Sequence, residues 1–369
     1  MMIETLARPI EPRRLPYFSQ AQLEQLFEAH ERFLRRQPRS KNLVQRFLQA
    51  KGLNFSRRLL SEADLTGANL RDARMILTNF ERAHLYCADL GGVDARQAIF
   101  RKADIRGVSL NHARLEGANF DDADMRQAVL AYADAKDGYR LVGRSGDVRP
   151  EGGGITYSVD FSNCSMKMVK LANAKLKGAN FAGALMQGAD LSGAVLTGAN
   201  FDGGVLTGVN LERAVIDRGA LAKCVVDPTA AALARVAELL TRLEASDLWV
   251  RTNGREGRAA VLDDEDVRPL GDAFQKRQLA ALSAQRALAV GVNFAGAQLQ
   301  GSKFDGADLR DVDFNTADLR GASFVGANLW HANFAGADLR PLPLGGDRFA
   351  RVDLSGAKYA PDAFVNALR

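Results

Sequence analysis

The sequence predicts an all-β solenoid, and three observations carry that prediction. Large apolar residues recur every five positions: Phe55, Leu60, Leu65, Leu70, Met75, Phe80, Leu85 and Leu90 share one frame. A small residue stands two places before many of them, as Ala63, Ala68, Ala73, Ala83 and Ala88. Asp or Asn often lies between, as in Ala63-Asp64-Leu65 and Ala68-Asn69-Leu70. A period of five is neither the helix period of about 3.6 nor the strand period of two. It suits a coil that turns a corner every five residues, with one large and one small apolar side chain inward and three residues facing water. Stacked coils pair each backbone with the coils above and below, which satisfies the buried polar groups. Recurrent glycine, as in Leu176-Lys177-Gly178 and Leu191-Ser192-Gly193, suits a corner that needs unusual backbone angles.

The frame runs from Phe55 to Ala135, returns from Phe161 to Val226, and returns again from Phe294 to Phe364. The units Ala63-Asp64-Leu65-Thr66-Gly67, Ala189-Asp190-Leu191-Ser192-Gly193 and Ala307-Asp308-Leu309-Arg310-Asp311 resemble the pentapeptide-repeat family, whose pattern is A(D/N)LxG-like. The resemblance covers roughly 230 of the 369 residues. It implies a right-handed quadrilateral β-helix with four units per coil. On that geometry Phe294, Phe314 and Phe334 stack in one column and Phe304 and Phe324 in the opposite one, with coils about 4.8 Å apart. These rings are therefore expected in the core.

The remaining segments are taken in chain order. Residues 1–54 are expected to form a basic, helical N-terminal cap, because Leu23, Leu26, Phe27, His30, Phe33 and Leu34 recur at helical spacing. A second short helix is expected over Asn42–Ala50. Such a cap covers the apolar core and unpaired edge of a first coil. Residues 55–135 form the first part of the β-helix. Residues 136–158 break the frame and read as an extruded Gly-rich loop, with strands over Tyr139–Val142 and Ile155–Ser158 pairing as a hairpin. Their glycines lack the GK(S/T) of a phosphate-binding loop. Residues 159–226 are the second part. Residues 227–291 again break the frame. Pro228 and the spacing of Leu233, Val236, Leu239, Leu240 and Leu243 predict one helix, and about Leu270–Leu288 a second, as an inserted helical hairpin. Residues 292–360 are the third part, and residues 361–369 a C-terminal cap ending in a short helix.

Charge is unevenly placed. Residues 1–58 carry 12 basic and 5 acidic side chains, which leaves 37 basic and 39 acidic in residues 59–369. The local excess makes Arg32, Arg35, Arg36, Arg39, Lys41 and Arg46 candidate interaction residues. Trp249, Arg251, Arg255 and Arg258, at the bend of the expected hairpin, are a second candidate group. No nucleic-acid motif or aromatic ladder accompanies the basic run, so nucleic acid is not the expected partner.

The family resemblance also implies a known activity, mimicry of DNA toward DNA gyrase in quinolone resistance. That needs a strongly acidic rod, and a near-neutral solenoid disfavours it. The four histidines are scattered, and paired aspartates follow from the repeat, so no catalytic or metal site is expected and no cofactor. Cys87, Cys164 and Cys224 show no pairing pattern, and the N-terminal residues lack the apolar stretch of a secretory signal, so a cytoplasmic protein with no membrane span is expected. The expected function is a non-enzymatic scaffold or adaptor that binds a protein partner. The alternatives are a gyrase modulator and a secreted bacterial effector. Homodimerisation through the C-terminal end is a further option that the resemblance brings in.

Overall fold

A single pentapeptide shows how the coil is made. In Asp64-Leu65-Thr66-Gly67-Ala68, the Asp64 N–H donates to the Leu43 carbonyl of the preceding coil (2.8 Å), and the Leu65 and Gly67 N–H groups donate to His84 and Tyr86 of the next (both 2.8 Å). The Ala68 N–H closes the corner on the Leu65 carbonyl (3.0 Å). The Thr66 N–H has no backbone acceptor and takes the Asp64 carboxylate instead (Oδ1, 3.2 Å). All five donors are thereby satisfied. The recurring Asp or Asn is explained by that fifth donor, which a side-chain oxygen two residues back must accept. The recurring Gly is explained by a left-handed corner, φ +66° at Gly67, where the Phe47 ring also packs close.

The computed structural model describes residues 17–132, 139–142 and 155–369. It divides into two compact units, Met1–Asp227 and Pro228–Arg369, each with its own core.

In the first unit, helix α1 (Gln20–Leu34) starts at a capping box. Gln22 N–H donates to Ser19 Oγ (3.3 Å) and Ser19 N–H donates to Gln22 Oε1 (2.9 Å). The helix buries Leu23, Phe27 and His30, with the Phe27 ring 5.1 Å from that of Phe55. Parallel bridges then link residues 20 apart, Val44 to Asp64, His84, Asp104 and Asp124 in turn, which makes four five-residue sides per coil. The expected helix over Asn42–Ala50 is absent, since that stretch already belongs to the first coil. The coil is interrupted by β1 (Ala128–Tyr132), β2 (Tyr139–Val142) and β3 (Ile155–Tyr157), an antiparallel sheet of order β2-β1-β3. The hairpin expected between β2 and β3 does not form; each pairs instead with β1, which the five-residue frame had assigned to the coil. The Gly-rich stretch 143–154 lies outside the described residues. The ladders cross the interruption at Ser109↔Asp160, Arg114↔Ser165, Asn119↔Lys170 and Asp124↔Lys175 and continue to Val205↔Val225. Phenylalanines stack in columns, Phe80-Phe100-Phe120 at 5.1 and 4.7 Å and Phe161-Phe181-Phe201 at 5.0 Å each.

The second unit opens with α2 (Ala230–Ala234), capped by Thr229, and α3 (Val236–Arg251), which buries Leu239, Leu243 and Ser246. The expected second helix over about 270–288 does not form. Arg268–Phe274 is a 3-10 segment broken at Gly271, and β-helix ladders begin at Val261↔Ser283 and Asp266↔Leu288. There is thus no helical hairpin; a helix leads directly into a second β-helix. Phe294, Phe314 and Phe334 stack at 5.3 and 5.2 Å, Phe304 and Phe324 at 5.3 Å, and the two columns meet edge to face at 5.7 to 6.3 Å. A small hairpin, β4 (Leu342–Pro343) with β5 (Phe349–Ala350), leaves the coil, so Ser323 pairs with Asp353, thirty residues on. The C-terminal residues form turns rather than the expected helix, although Phe364 is buried against Phe334 at 4.6 Å.

Candidate interaction surface

The outward positions of the coils compensate their charges in place. Where Asp accepts the fifth N–H and Arg stands two residues later, the guanidinium folds back on the same carboxylate through two bonds. Such pairs are Asp94–Arg96 (2.7 and 2.7 Å), Asp104–Arg106 (2.8 and 2.8 Å) and Asp338–Arg340 (3.0 and 2.8 Å). This is the bidentate geometry that arginine favours. The hydrogen bond from Arg340 holds the Asp338 carboxyl below the usual carboxylate range. At Asp64 burial pushes the carboxyl up, but hydrogen bonds from Thr66 and Arg46 outweigh it and hold the group low. Other faces pair through amides: Asn200 donates to Asn180 (3.2 Å) and Asn180 to Asp160 (2.9 Å). One ladder alternates in sign as Arg74, Asp94, Arg114, and another runs Asp104, Asp124, Lys175, so both signs occur along these faces.

Each opening helix closes the exposed edge of its first coil with side chains. Gln20 Nε2 donates to the Asn54 carbonyl (2.8 Å), and the Asn54 N–H donates to Gln20 Oε1 (2.9 Å). The Leu43 N–H donates to His30 Nδ1 (3.1 Å). Arg58 pairs with Glu24, lies 3.7 Å from Glu31, and stacks over the Phe27 ring at 5.5 Å. In the second unit the Gln278 N–H donates to Asp247 Oδ1 (3.0 Å), Arg242 Nη1 donates to the Val261 carbonyl (3.0 Å), and Glu265 receives both Arg235 and Arg242 (2.6 and 3.3 Å). Sequence reasoning missed these contacts. The available signal was a polar residue inside an apolar helical stripe, His30 in line with Leu23 and Phe27.

The first candidate group divides. Arg32 lies in the last turn of α1, Arg35 at its C-cap, and Arg36 and Arg39 in left-handed backbone beyond it. With Lys41 these side chains are exposed and make no ion pair among the described residues. Arg46 instead pairs with Asp64 at 2.8 Å and belongs to the coil face. In the second group, which the structure puts at the end of α3 rather than at a hairpin bend, Arg251 pairs with Asp247 (2.5 Å) and Trp249 is half-buried. Arg255 and Arg258 are exposed and unpaired among the described residues. The two groups belong to different units.

Burial pushes the Cys87 thiol up to about 12, and burial raises Cys164 as well, so both are neutral thiols at ordinary pH. Among the described residues no His, Cys, Asp and Glu are grouped to hold a metal ion, and no helix is long and apolar enough to cross a membrane.

Two family profiles, both described as pentapeptide repeats, match this chain. One covers residues 63–101, 78–122, 109–137 and 174–213, the other residues 289–333. No curated protein matches. Among solved structures, the chain is similar to a trypsin-treated form of QnrB1, a plasmid-mediated fluoroquinolone resistance protein (16% identity, 78% of this chain and 91% of that chain, TM-score 0.23). It is also similar to HetL, a protein involved in heterocyst differentiation regulation from the cyanobacterium Nostoc sp. (19% identity, 83% and 93%, TM-score 0.20). A third is a protein of the Arabidopsis thaliana thylakoid lumen (22% identity, 35% and 69%, TM-score 0.19). With the five-residue frame, the left-handed corners and the twenty-residue ladders, the profile matches assign the chain: it belongs to the pentapeptide-repeat family.

Proposed function

We propose that the protein is a cytoplasmic, non-enzymatic scaffold or adaptor whose β-helices, wound right-handed, hold a basic segment toward an acidic protein partner. One observation carries this reading. Where Asp and Arg stand two residues apart the coil faces neutralise their own charges, whereas Arg32, Arg35, Arg36, Arg39 and Lys41, within ten residues, stand exposed with no ion pair among the described residues. Arginine in four of those five positions suits fork-like recognition of carboxylates. The paired faces also argue against DNA mimicry, which needs carboxylates left free to face a positive groove.

The test is a crosslinking pulldown from native cytosol with wild-type protein beside the variant Arg32→Glu/Arg35→Glu/Arg36→Glu/Arg39→Glu. Circular dichroism first establishes that the variant folds. The expected result is an acidic protein captured by wild type and lost from the variant. Equal recovery by both overturns the proposal, and inhibition of supercoiling by purified gyrase with both proteins replaces it with the DNA-mimic reading.

A further inference from the structure

We infer that His30 is a pH-sensitive latch that releases α1 from the first coil in mildly acidic conditions. His30 is fully buried, and its Nδ1 accepts the Leu43 N–H at 3.1 Å, one of the bonds that tie α1 to the start of the β-helix. An imidazole that accepts at Nδ1 carries its proton on Nε2. The Ser61 backbone and the Asn42 side chain lie beside the ring, yet Nε2 and Asn42 Oδ1 are both buried without a hydrogen-bond partner. A second proton must therefore go to Nδ1, where it removes the acceptor of the Leu43 N–H and places a cation in an apolar joint between Phe33 and the coil.

The charged groups facing His30 are few. Glu31 on α1 and Glu62 on the coil favour protonation, as do the Ser61 carbonyl and Asn42, but burial outweighs them and lowers the basicity of the ring. Glu31 is also drawn toward Arg58. The sign follows directly. The released state binds a proton that the closed state refuses, so closure is complete above the ordinary histidine range and weakens as pH falls through it. The residue at the matching place of α3 is Ser246, which does not titrate. As a regulator of the basic segment this rests on the adaptor reading; the latch itself does not.

The experiment is hydrogen exchange of the Leu43 amide in the full chain, corrected for the intrinsic pH dependence of exchange. From about pH 7.5 to about pH 5.5 the open fraction is expected to rise about tenfold in wild type. It is expected to stay flat in His30→Asn, whose Oδ1 keeps the acceptor without titrating, and flat for the α3 amides. A flat wild-type profile, or the same slope in His30→Asn, overturns the latch. Should His30→Asn fail to fold, the wild-type imidazole is titrated by NMR: a midpoint below the ordinary histidine value upholds it, and one at or above that value overturns it. None of these readouts needs a partner, so they fail independently of the adaptor reading. Loss of partner capture on acidification in wild type only, in the pulldown above, then links the two.

Discussion

In the first unit the helix over the opening coil buries Leu23, Phe27 and His30; in the second it buries Leu239, Leu243 and Ser246. The spacing is the same, four residues and then three, which is one stripe of a helix. The edge it covers poses the same problem in both units: a coil with no coil before it has unpaired N–H and C=O groups and an open apolar core. The chemistry differs. The first unit uses an amide (Gln20), a histidine and a tilted ring contact between Phe27 and Phe55. The second uses Asp247, Arg242 and Glu265, with leucines against the core. Position is dictated by the edge, whereas residue type is free to set how closure responds to its surroundings.

The largest expected effect tests whether two cores are truly separate. Leu319→Asp puts a carboxylate into the second core, where Leu319 has no exposure, and should cost at least about 4 kcal/mol. Hydrogen-exchange protection is expected to vanish from Leu299 to Phe334 and to persist from Leu65 to Phe120. Loss in both stretches would break the division into two units.

A smaller effect compares the caps. Phe27→Ala removes a ring that touches Phe55 and Arg58 and should cost about 4 kcal/mol, against about 3 kcal/mol for Leu243→Ala. Denaturant titrations of the two variants measure the difference; equal costs would show that the ring contacts add nothing beyond shared burial.

The smallest effect concerns the segments that lead from helix to coil. The first uses left-handed Arg36 and Arg39, the second Gly254 and Gly257. At Gly257, φ is +77°, and an added Cβ would collide with the Ala245 carbonyl and approach the Trp249 nitrogen. Gly257→Ala should cost about 1–3 kcal/mol, while Arg39→Ala should cost under about 0.5 kcal/mol, because Arg39 already tolerates a side chain in that conformation. Thermal melting decides; a Gly257→Ala protein that melts with wild type removes this asymmetry.

The legible and illegible parts of the fold have physical reasons. Both missed opening coils invert the repeat. Leu43 and Leu48 precede a smaller or polar partner (Gln45, Ala50), and Leu282 precedes Ala284, so the large residue falls on the small residue's place. Leu279 and Leu282 then read as helical spacing although they sit in coil. The β4–β5 hairpin escaped notice for another reason: it adds ten residues, a multiple of five, so Leu344 and Phe349 keep the frame while standing exposed outside the coil. β1 escaped likewise, since Leu130 remains in frame. Of the candidate surface, the basic run was visible as composition. Which of its members were free was not, because Arg46 and Arg251 find their carboxylates only after folding.

By itself the sequence determined the coil. A period of five, an inward alanine, a carboxylate or amide before the large residue and a glycine at the corner are local requirements, met within five residues and repeated. The tertiary structure decided where coils start and stop, which strands pair in the β1–β3 sheet, that the molecule has two cores rather than one, and which arginines are neutralised. Those outcomes depend on groups twenty or more residues apart, and on unpaired edges that exist only once a coil has formed.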